Sequence, residues 1–510
     1  MHSEPIYSEA KWEAYVAKLA QNNKLKSYKH FDPIFEFKDR ADLIKKLVSD
    51  PTLESVAQYS FSPLVKILTK TPRYKYDEDV NAYGLETKIR PISFAAHLDA
   101  YIYGFYAFTL TEVYQDYIKS QGFAPCVLAY RSDLNGDSNI QFAKMAFDSV
   151  KEMYAKYGKC SAIALDISGY FDAIDHKILK SKWCDVLGVT ELPKDQYKIY
   201  RSLTNYAYVG KANLLKHFNI KVPKTKKWKT LLNLIPDSIN GISFQNKMDL
   251  LRKEQLIIRN KPKKAADGTI SYCGIPQGSP MSSVLSNIYL LDFDRWLHNL
   301  SILMDFKYFR YCDDLLIVCK SDNVRYLVDE IVRVIKDEFE LTIQTKKSEI
   351  VEFRENSKGI IRSFDINQPG GRKTDTDTEQ KFYKNLQYLG FEYNGKSIYI
   401  RSGSLSRYFR KAKASIVKTM MMAYGKKSMC STIGRKKLYT KYSHFGRRNF
   451  ISYAQNAAKK EYSNYKGDKR NGLDSISIKR QLSAHFSFLE REINKTSKQF
   501  ADILGVEKKS

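Results

Sequence analysis

Two adjacent acids in the middle of the chain constrain its fold more than any other feature. Asp313 and Asp314 lie between two short apolar runs, 306–309 and 315–318, and each run is typical of a β-strand. The acidic pair therefore falls at a predicted hairpin turn, where it provides the hard oxygen ligands that Mg²⁺ prefers. Asp is also common in turns because its side chain bonds to nearby backbone, so a purely local role is the alternative for this pair.

A third acid, Asp166, stands at the end of another apolar run, Ile163-Ala164-Leu165. If the two strands are neighbours, three carboxylates meet at one edge of a sheet. Such an arrangement holds two metal ions about 4 Å apart for phosphoryl transfer. For Asp166 alone, the alternative is a solvated acid at a strand end.

The charge of the chain predicts a polyanionic partner. Lys and Arg number 84 against 56 Asp and Glu, which gives a net charge of +28, and the chain also has 36 Tyr and 27 Phe. Cations interleaved with aromatic rings suit nucleic acid, which has phosphates outside and stackable bases inside. A membrane surface is the rival polyanion.

Other bulk properties favour a cytoplasmic protein without a membrane span. The seven cysteines include no Cys-x-x-Cys pair, which indicates reduced thiols rather than a disulfide framework or a zinc site. The first residues are polar where a signal peptide would be apolar. No apolar run approaches the roughly 20 residues of a spanning helix.

The pattern along the 510 residues predicts an α+β fold with roughly two to four domains. Apolar spacing indicates helices through most of 1–75 and again at 97–117 and 139–157. Strand and helix signals alternate up to residue 400, with a hairpin expected near Asp267-Gly268. The remainder, 401–510, is rich in Lys and Arg and mostly helical in pattern.

Five segments in this order resemble the motif series of reverse transcriptases: Asp166 with Phe171, 274–280, 311–314, Lys347, and 388–391. The resemblance spans about 83–400. It implies a right-hand polymerase fold with an N-terminal helical extension (1–75), fingers and palm (76–400), and a basic helical thumb (401–510). The implied activity is RNA-directed DNA polymerisation, in which dNTPs are added to a primer end.

The resemblance implies a two-metal site of Mg²⁺, for which Mn²⁺ could substitute. Asp166 and Asp313 would bind both ions, the carbonyl of Ile167 would complete one coordination shell, and Asp314 would be a weaker ligand or would orient the others. One ion would lower the pKa of the primer 3′-hydroxyl while the other neutralises the triphosphate and the leaving pyrophosphate. Lys347 would protonate that pyrophosphate, with Lys346 as the alternative.

The resemblance also implies a nucleotide-binding set that comprises Lys88, Arg90, Gly169, Tyr170, Phe171, Gln277 and Gly278. Lys88 and Arg90 would hold the triphosphate, although an exposed strand pair is the alternative for them. The ring of Phe171 would collide with a 2′-hydroxyl and so favour deoxynucleotides, whereas simple core packing is the other interpretation. Arg131, in Ala129-Tyr130-Arg131, resembles a second fingers motif.

Leu389 and Gly390 resemble the primer grip, a tight turn against the primer backbone. The basic tail would be a thumb that contacts duplex, and a merely solvated helix face is the alternative there.

Segments 88–92, 129–131 and 439–458 resemble bacterial defence-associated, abortive-infection reverse transcriptases. Membership of that group would imply an RNA or DNA template, or a dedicated noncoding RNA as partner. It would also imply that nascent DNA can be attached to a Tyr and that the protein forms a homo-oligomer. The alternatives are a group II intron-like or retron-like reverse transcriptase, an RNA-dependent RNA polymerase, and a catalytically quiet RNA-binding protein on the same fold.

Overall fold

The computed structural model describes residues 6–22, 30–33, 35–77, 82–218, 244–264, 268, 270–344, 348–367, 379–425, 432–464 and 466–504.

A five-stranded antiparallel sheet lies at the centre of the fold. Its strand order is β11-β10-β3-β9-β8, with β3 in the middle. The strands are β3 (Cys160–Asp166), β8 (Lys307–Tyr311), β9 (Asp314–Cys319), β10 (Glu349–Glu355) and β11 (Ile361–Asp365). This central sheet includes all three strand segments that the sequence predicted around the acids.

The central sheet is buried on both faces, which explains the continuous apolar run of β9. Leu315 and Ile317 belong to one hydrophobic core, whereas Leu316 and Val318 belong to a second core. Successive side chains of a strand point to opposite faces, so the sheet separates the two cores. Burial on both faces favours apolar residues at every position rather than at alternate ones.

The other strands form smaller sheets. A four-stranded sheet has the order β2-β1-β4-β5, and a three-stranded sheet has the order β12-β13-β14. Two hairpins, β6–β7 and β15–β16, complete the set. Their bounds are β1 (Leu64–Asp77), β2 (Ala82–Phe94), β4 (Ala207–Gly210), β5 (Ile257–Arg259), β6 (Lys263–Lys264), β7 (Ile270–Ser271), β12 (Leu386–Tyr388), β13 (Phe391–Tyr393), β14 (Ile398–Ile400), β15 (Glu461–Ser463) and β16 (Lys469–Asn471).

Helices cover both faces of the central sheet and both ends of the chain. The α-helices of the described ranges are Glu9–Asn22, Ala41–Val48, Glu54–Ala57, His97–Ser120, Asn139–Tyr157, Tyr170–Ala173, His176–Leu187, Lys194–Thr204, Lys211–His217, Phe244–Lys253, Pro280–Tyr289, Leu291–Leu303, Val324–Asp337, Ser402–Tyr424, Arg435–Tyr442, Phe450–Ala458, Ile476–Leu482 and His485–Leu504. Short 3-10 turns are Phe37–Asp39, Ala124–Cys126, Ser321–Asn323 and Glu379–Phe382. Of these helices, none has the length and apolar character needed to cross a bilayer.

The predicted α+β class is confirmed, and so are several predicted elements. The helix Asn139–Tyr157 has the predicted bounds because Ser138 and Gln141 form a capping box at its start and Gly158 ends it in the left-handed conformation. The predicted helix at 97–117 extends to Ser120. A turn was expected at 267–268, and its first residue, Asp267, lies outside the described residues.

One sequence prediction needs correction. Helical patterning was expected to continue to about residue 75, but β1 begins at Leu64, because its residues pair with β2 along their whole length and with β4 at their start. The tail beyond 401 is mostly helical as expected, yet it also contains the β15–β16 hairpin. The division into domains at 75 and 400 stays a prediction, and β1 crosses residue 75.

One face of the first helix of the tail is buried in the second hydrophobic core. In the helix Ser402–Tyr424, the buried residues Tyr408, Ala412, Ile416 and Met420 recur every four positions and join the second core. This spacing forms one apolar stripe along a helix. Lys411, Lys413 and Lys418 are exposed on the remaining surface. The basic charge of this helix is therefore directed to solvent.

Candidate active site

The fold brings the three predicted acids to one edge of the central sheet. Asp166 is the last residue of β3 and pairs directly with Asp314, the first residue of β9. Asp313 lies in the turn between β8 and β9, and its carbonyl accepts a hydrogen bond from the amide of Ile167 at 3.2 Å. The amide of Gln344 donates to the carbonyl of Asp166 at 2.8 Å, which fixes the end of β3 from the other side.

The donor set has the chemistry of a magnesium site, but its side chains are not drawn together as ligands. Asp166 and Asp313 are half-buried, and Asp314 is exposed. Three carboxylates and the nearby carbonyl of Ile167 are the hard oxygen donors that Mg²⁺ requires. Among the residues that the structure describes, however, no group of three or more His, Cys, Asp or Glu side chains is close enough to hold a metal ion. The three residues are therefore neighbours at the sheet edge, whereas their carboxylates do not form a ligand cluster, and their role as metal ligands stays a prediction.

A fully buried arginine donates a hydrogen bond to the backbone of the acidic turn. Arg310 donates from Nη1 to the carbonyl of Cys312 at 3.2 Å, next to Asp313. Its Nε donates to Oδ1 of Asp294 at 2.7 Å, and both side chains have no exposed surface. Burial lowers the pKa of Arg310, but the carboxylate of Asp294 raises this pKa by a larger amount. The net pKa of Arg310 therefore lies well above its ordinary value.

This ion pair was not among the features predicted from the sequence. Its signal was a basic residue inside an apolar strand, between Phe309 and Tyr311, and a charge in that position requires a buried partner. The partner, Asp294, lies on the helix Leu291–Leu303, where it also accepts from the hydroxyl of Tyr308 at 2.7 Å.

The turn at Gln277 and Gly278 lies directly against β2. The carbonyl of Gln277 accepts from the amide of Ser93 at 2.8 Å. Gly278 has φ +116°, and a Cβ there would stand 2.7 Å from the carbonyl oxygen of Ser93. Only glycine combines this conformation with so close an approach.

Lys88 and Arg90 lie on β2 and are half-buried. Alternation along the strand puts both on the same face as Ile92. The side chain of Ile92 lies 3.0 Å from the position of a Cβ on Gly278. Both predicted triphosphate ligands are therefore on the face of β2 that is turned toward Gln277 and Gly278.

Gly169, Tyr170 and Phe171 follow Asp166 at the start of a short helix. Gly169 is exposed with φ +57°. The ring of Tyr170 is buried and its hydroxyl donates to the carbonyl of Ser286, so its side chain is structural and only its backbone can face a nucleotide. Phe171 is half-buried and lines a cavity together with Gln277.

This cavity has a volume of about 1600 Å³. Phe171 and residues of the segment 277–283 form one wall of the cavity. The helices Glu9–Asn22 and His97–Ser120 form the other walls. Lys18 and Lys38 stand on its rim beside several aromatic rings. The N-terminal helix thus reaches the candidate nucleotide site. This contact was not predicted from the sequence.

Residues 215–393 match the family described as reverse transcriptase (RNA-dependent DNA polymerase). The chain contains a reverse transcriptase domain. The matched residues include Gln277, Gly278, Asp313 and Asp314, whereas Asp166 precedes them. The match confirms the predicted right-hand polymerase fold and, at the level of the domain, the class of RNA-directed DNA polymerases.

Solved structures with similarity to this chain include two yeast telomerases. Telomerase from Candida albicans, in complex with a TWJ fragment of telomeric RNA, is 12% identical with a TM-score of 0.36, and the match covers 91% of this chain and 59% of that one. Apo telomerase from Candida tropicalis is 11% identical with a TM-score of 0.37, covering 91% and 68%. This chain therefore spans about 59% of the length of the Candida albicans enzyme. A comparison with curated proteins gives no match.

The predicted primer grip of the reverse transcriptase domain is a tight turn between β12 and β13. Leu389 and Gly390 have φ values of +46° and +92°. Positive φ at both positions is what a two-residue hairpin turn requires. The carbonyl of Gly390 accepts from the amide of Arg401 at 3.0 Å, which ties the turn to the start of the tail. Lys346 and Lys347 lie outside the described residues.

The segment that resembles a second fingers motif is bonded to β8, the strand that precedes the acidic turn. The amide of Leu128 donates to the carbonyl of Arg310 at 2.9 Å. Arg131 forms a two-pronged ion pair with Asp133, at 2.9 Å from Nε and 2.7 Å from Nη2. Its guanidinium is therefore held by a carboxylate of its own segment.

Proposed function

We propose that this protein is an RNA-directed DNA polymerase that adds dNTPs to a primer end by two-metal catalysis. The observation that carries the proposal is the pairing of Asp166 with Asp314 at the sheet edge, with Asp313 in the adjoining turn, inside a fold that contains a reverse transcriptase domain. Three acidic residues at one edge of a sheet in a cationic protein suit the binding of metal ions and nucleotide phosphates once their side chains turn toward a common point.

In this proposal Asp166, Asp313 and the carbonyl of Ile167 would hold two Mg²⁺ ions, with Mn²⁺ as a substitute, and Asp314 would bind more weakly or orient them. Bound ions would supply a lowered pKa for the primer hydroxyl and charge neutralisation for the triphosphate. Arg310 would keep the turn of Asp313 in place through the carbonyl of Cys312.

The remaining groups would bind and orient the reactants. Lys88 and Arg90 would contact the triphosphate, the backbone amides of Gly169 and Tyr170 would face the phosphates, and Gln277 and Gly278 would contact the nucleotide. Phe171 would exclude a 2′-hydroxyl, a role that its position in the cavity wall supports. Leu389 and Gly390 would contact the primer, and Lys347 would protonate pyrophosphate. The exposed lysines of the helix Ser402–Tyr424 would contact duplex.

Primer extension by the full chain tests the proposal. We expect Asp313→Asn to abolish dNTP incorporation while nucleic-acid affinity stays within about twofold, because the substitution removes a metal ligand and not the basic surface. Asp329→Asn is the matched control, because that acid is exposed on the helix Val324–Asp337 and should not affect the rate. A wild-type rate in Asp313→Asn would refute the catalytic role of this acid, whereas absence of incorporation by the wild type itself would favour a catalytically quiet nucleic-acid-binding protein.

The finer proposal is a cytoplasmic homo-oligomer that acts in bacterial antiphage defence, with an RNA template or with synthesis primed by a Tyr hydroxyl. Its support is the resemblance of segments 88–92, 129–131 and 439–458 to abortive-infection reverse transcriptases. Sequencing the nucleic acid that copurifies with the protein would identify template and product. Product DNA that separates fully from protein after denaturation would rule out tyrosine priming.

A further inference from the structure

A loop of the tail, 443–449, presents a phenylalanine to solvent. Phe445 is 64% exposed, more than any other Phe, Tyr or Trp residue in the described part of the chain. Folding usually buries such rings, because each one contributes a large apolar area. A single exposed apolar residue is common, but an exposed ring that belongs to a larger patch indicates a binding surface.

Phe445 belongs to a cluster of aromatic rings that holds it in one orientation. Its ring centroid lies 6.4 Å from that of Tyr439 and 5.5 Å from that of Phe486, and both pairs are close to perpendicular. The imidazole of His444 lies 4.3 Å from the same ring. Phe486 comes from the helix His485–Leu504, so the cluster joins the loop to the last helix of the tail. These contacts support the ring and still leave most of its surface accessible.

The backbone of the loop is tightly constrained. Ser443 is fully buried, and its hydroxyl donates to the carbonyl of Tyr439 at 2.7 Å. Nδ2 of Asn449 donates to the carbonyls of Ser443 at 2.7 Å and Thr440 at 3.1 Å. A Cβ at Gly446 would overlap the carbonyl of Thr440, so glycine is required there. A loop that is ordered before binding loses little conformational entropy when a partner binds.

The surroundings of the ring are strongly cationic. Residues 401–460 contain 16 Lys and Arg and no Asp or Glu. Arg447 and Arg448, which follow Phe445 in the same loop, are both exposed. This charge favours an anionic partner. An aromatic ring beside cations suits an unpaired nucleic-acid strand, which offers phosphates together with open base faces, whereas a duplex keeps its base faces stacked inside.

We propose that Phe445 stacks on an unpaired base of a single-stranded nucleic acid whose phosphates contact Arg447 and Arg448. RNA and DNA strands both offer this chemistry. No residue of the loop lines the 1600 Å³ cavity, so the site is separate from the candidate nucleotide site. The inference therefore goes beyond the proposed polymerase function and does not require it. In a polymerase, the site would hold the unpaired part of a template or product outside the active site.

The test measures binding of the full chain to fluorescein-labelled RNA and DNA single strands and to a blunt duplex of the same sequence, by fluorescence anisotropy. Phe445→Ala should weaken binding of at least one kind of single strand about tenfold, the effect of one stacked base, with duplex affinity within about twofold. Phe445→Tyr should retain the affinity, whereas Phe445→Leu should lose as much as Phe445→Ala, because Leu has no ring to stack. Tyr326→Ala is the matched control, because Tyr326 is an exposed ring on the helix Val324–Asp337.

Two further measurements report the contacts themselves. The fluorescence of a 2-aminopurine base in the strand should be quenched on binding to the wild type and not to Phe445→Ala. Arg447→Gln should reduce the slope of log affinity against log salt for single strands by about 0.7, the effect of one lost phosphate contact.

The outcomes separate this inference from its rivals and from the proposed function. Wild-type affinity in Phe445→Ala, or an equal loss on single strands and duplex, would overturn it. Full affinity in Phe445→Leu would also overturn it, and a change of oligomeric state in Phe445→Ala without a change in strand affinity would assign the ring to contact with a second copy of the chain. Asp313→Asn should bind single strands as the wild type does, so a failure of polymerase activity leaves this test unaffected.

Discussion

Removal of Arg310 should destabilise the centre of the fold and misplace the acidic turn. In Arg310→Met, the buried carboxylate of Asp294 retains the hydroxyl of Tyr308 at 2.7 Å but loses its cationic partner. Breaking a buried ion pair by removing one partner costs about 3–5 kcal/mol. The carbonyl of Cys312 and Oδ1 of Asn287 also lose a donor. We expect a decrease of about 4 kcal/mol in the free energy of unfolding, since such losses do not add fully.

Urea denaturation followed by circular dichroism measures this loss, and primer extension measures its effect on function. A double variant, Arg310→Met with Asp294→Leu, separates the two roles of the arginine. Replacing both partners by apolar residues should recover only part of the stability, because the buried hydroxyl of Tyr308 then loses its acceptor on Asp294. It should not recover activity, because the carbonyl of Cys312 still lacks its donor. A loss below about 1 kcal/mol in Arg310→Met, or full activity in the double variant, would refute the reasoning.

Four other outcomes are expected. Gly278→Ala should destabilise the folded protein by about 1–3 kcal/mol and impair synthesis, because the added Cβ would be 2.7 Å from a backbone oxygen. Gly84→Ala is the control in the same denaturation assay, because a Cβ at Gly84 meets nothing within 4 Å. Phe171→Ala should let ribonucleotides compete, and an unchanged ratio of kcat/KM for dNTP over NTP would dismiss the steric gate. Burial raises the pKa of Asp99 from 3.8 to about 7, so the folded state binds an extra proton and the free energy of unfolding should fall by roughly 3 kcal/mol as pH rises from 4 to 7. Asp99→Asn should flatten that profile, and a wild-type slope in the variant would assign it to another group. Nucleic-acid affinity should fall steeply with salt in a filter-binding titration, and a flat response would contradict the role given to the positive charge.

Local features of the sequence were sufficient to predict individual elements. The two ends of the helix Asn139–Tyr157 could be predicted because its cap residues and the spacing of its apolar residues lie in the helix or directly beside it. The turn at Asp313 could be predicted because two short apolar runs flank it. The strand β1 was assigned to a helical region, because its conformation depends on pairing with β2 and β4, which no local pattern reports.

The sequence by itself determined which residues carry the chemistry: two acids at a turn, one at a strand end, and a basic, aromatic-rich surface. Only the tertiary structure decided that Asp166 stands opposite Asp314 and that Arg310 lies buried against Asp294. Asp166 and Asp314 are far apart in the chain, and Asp294 and Arg310, which are 16 residues apart, lie on a helix and a strand. Their contacts arise from sheet pairing and helix packing, and the free energy of such contacts is set by burial and partners rather than by neighbours in sequence.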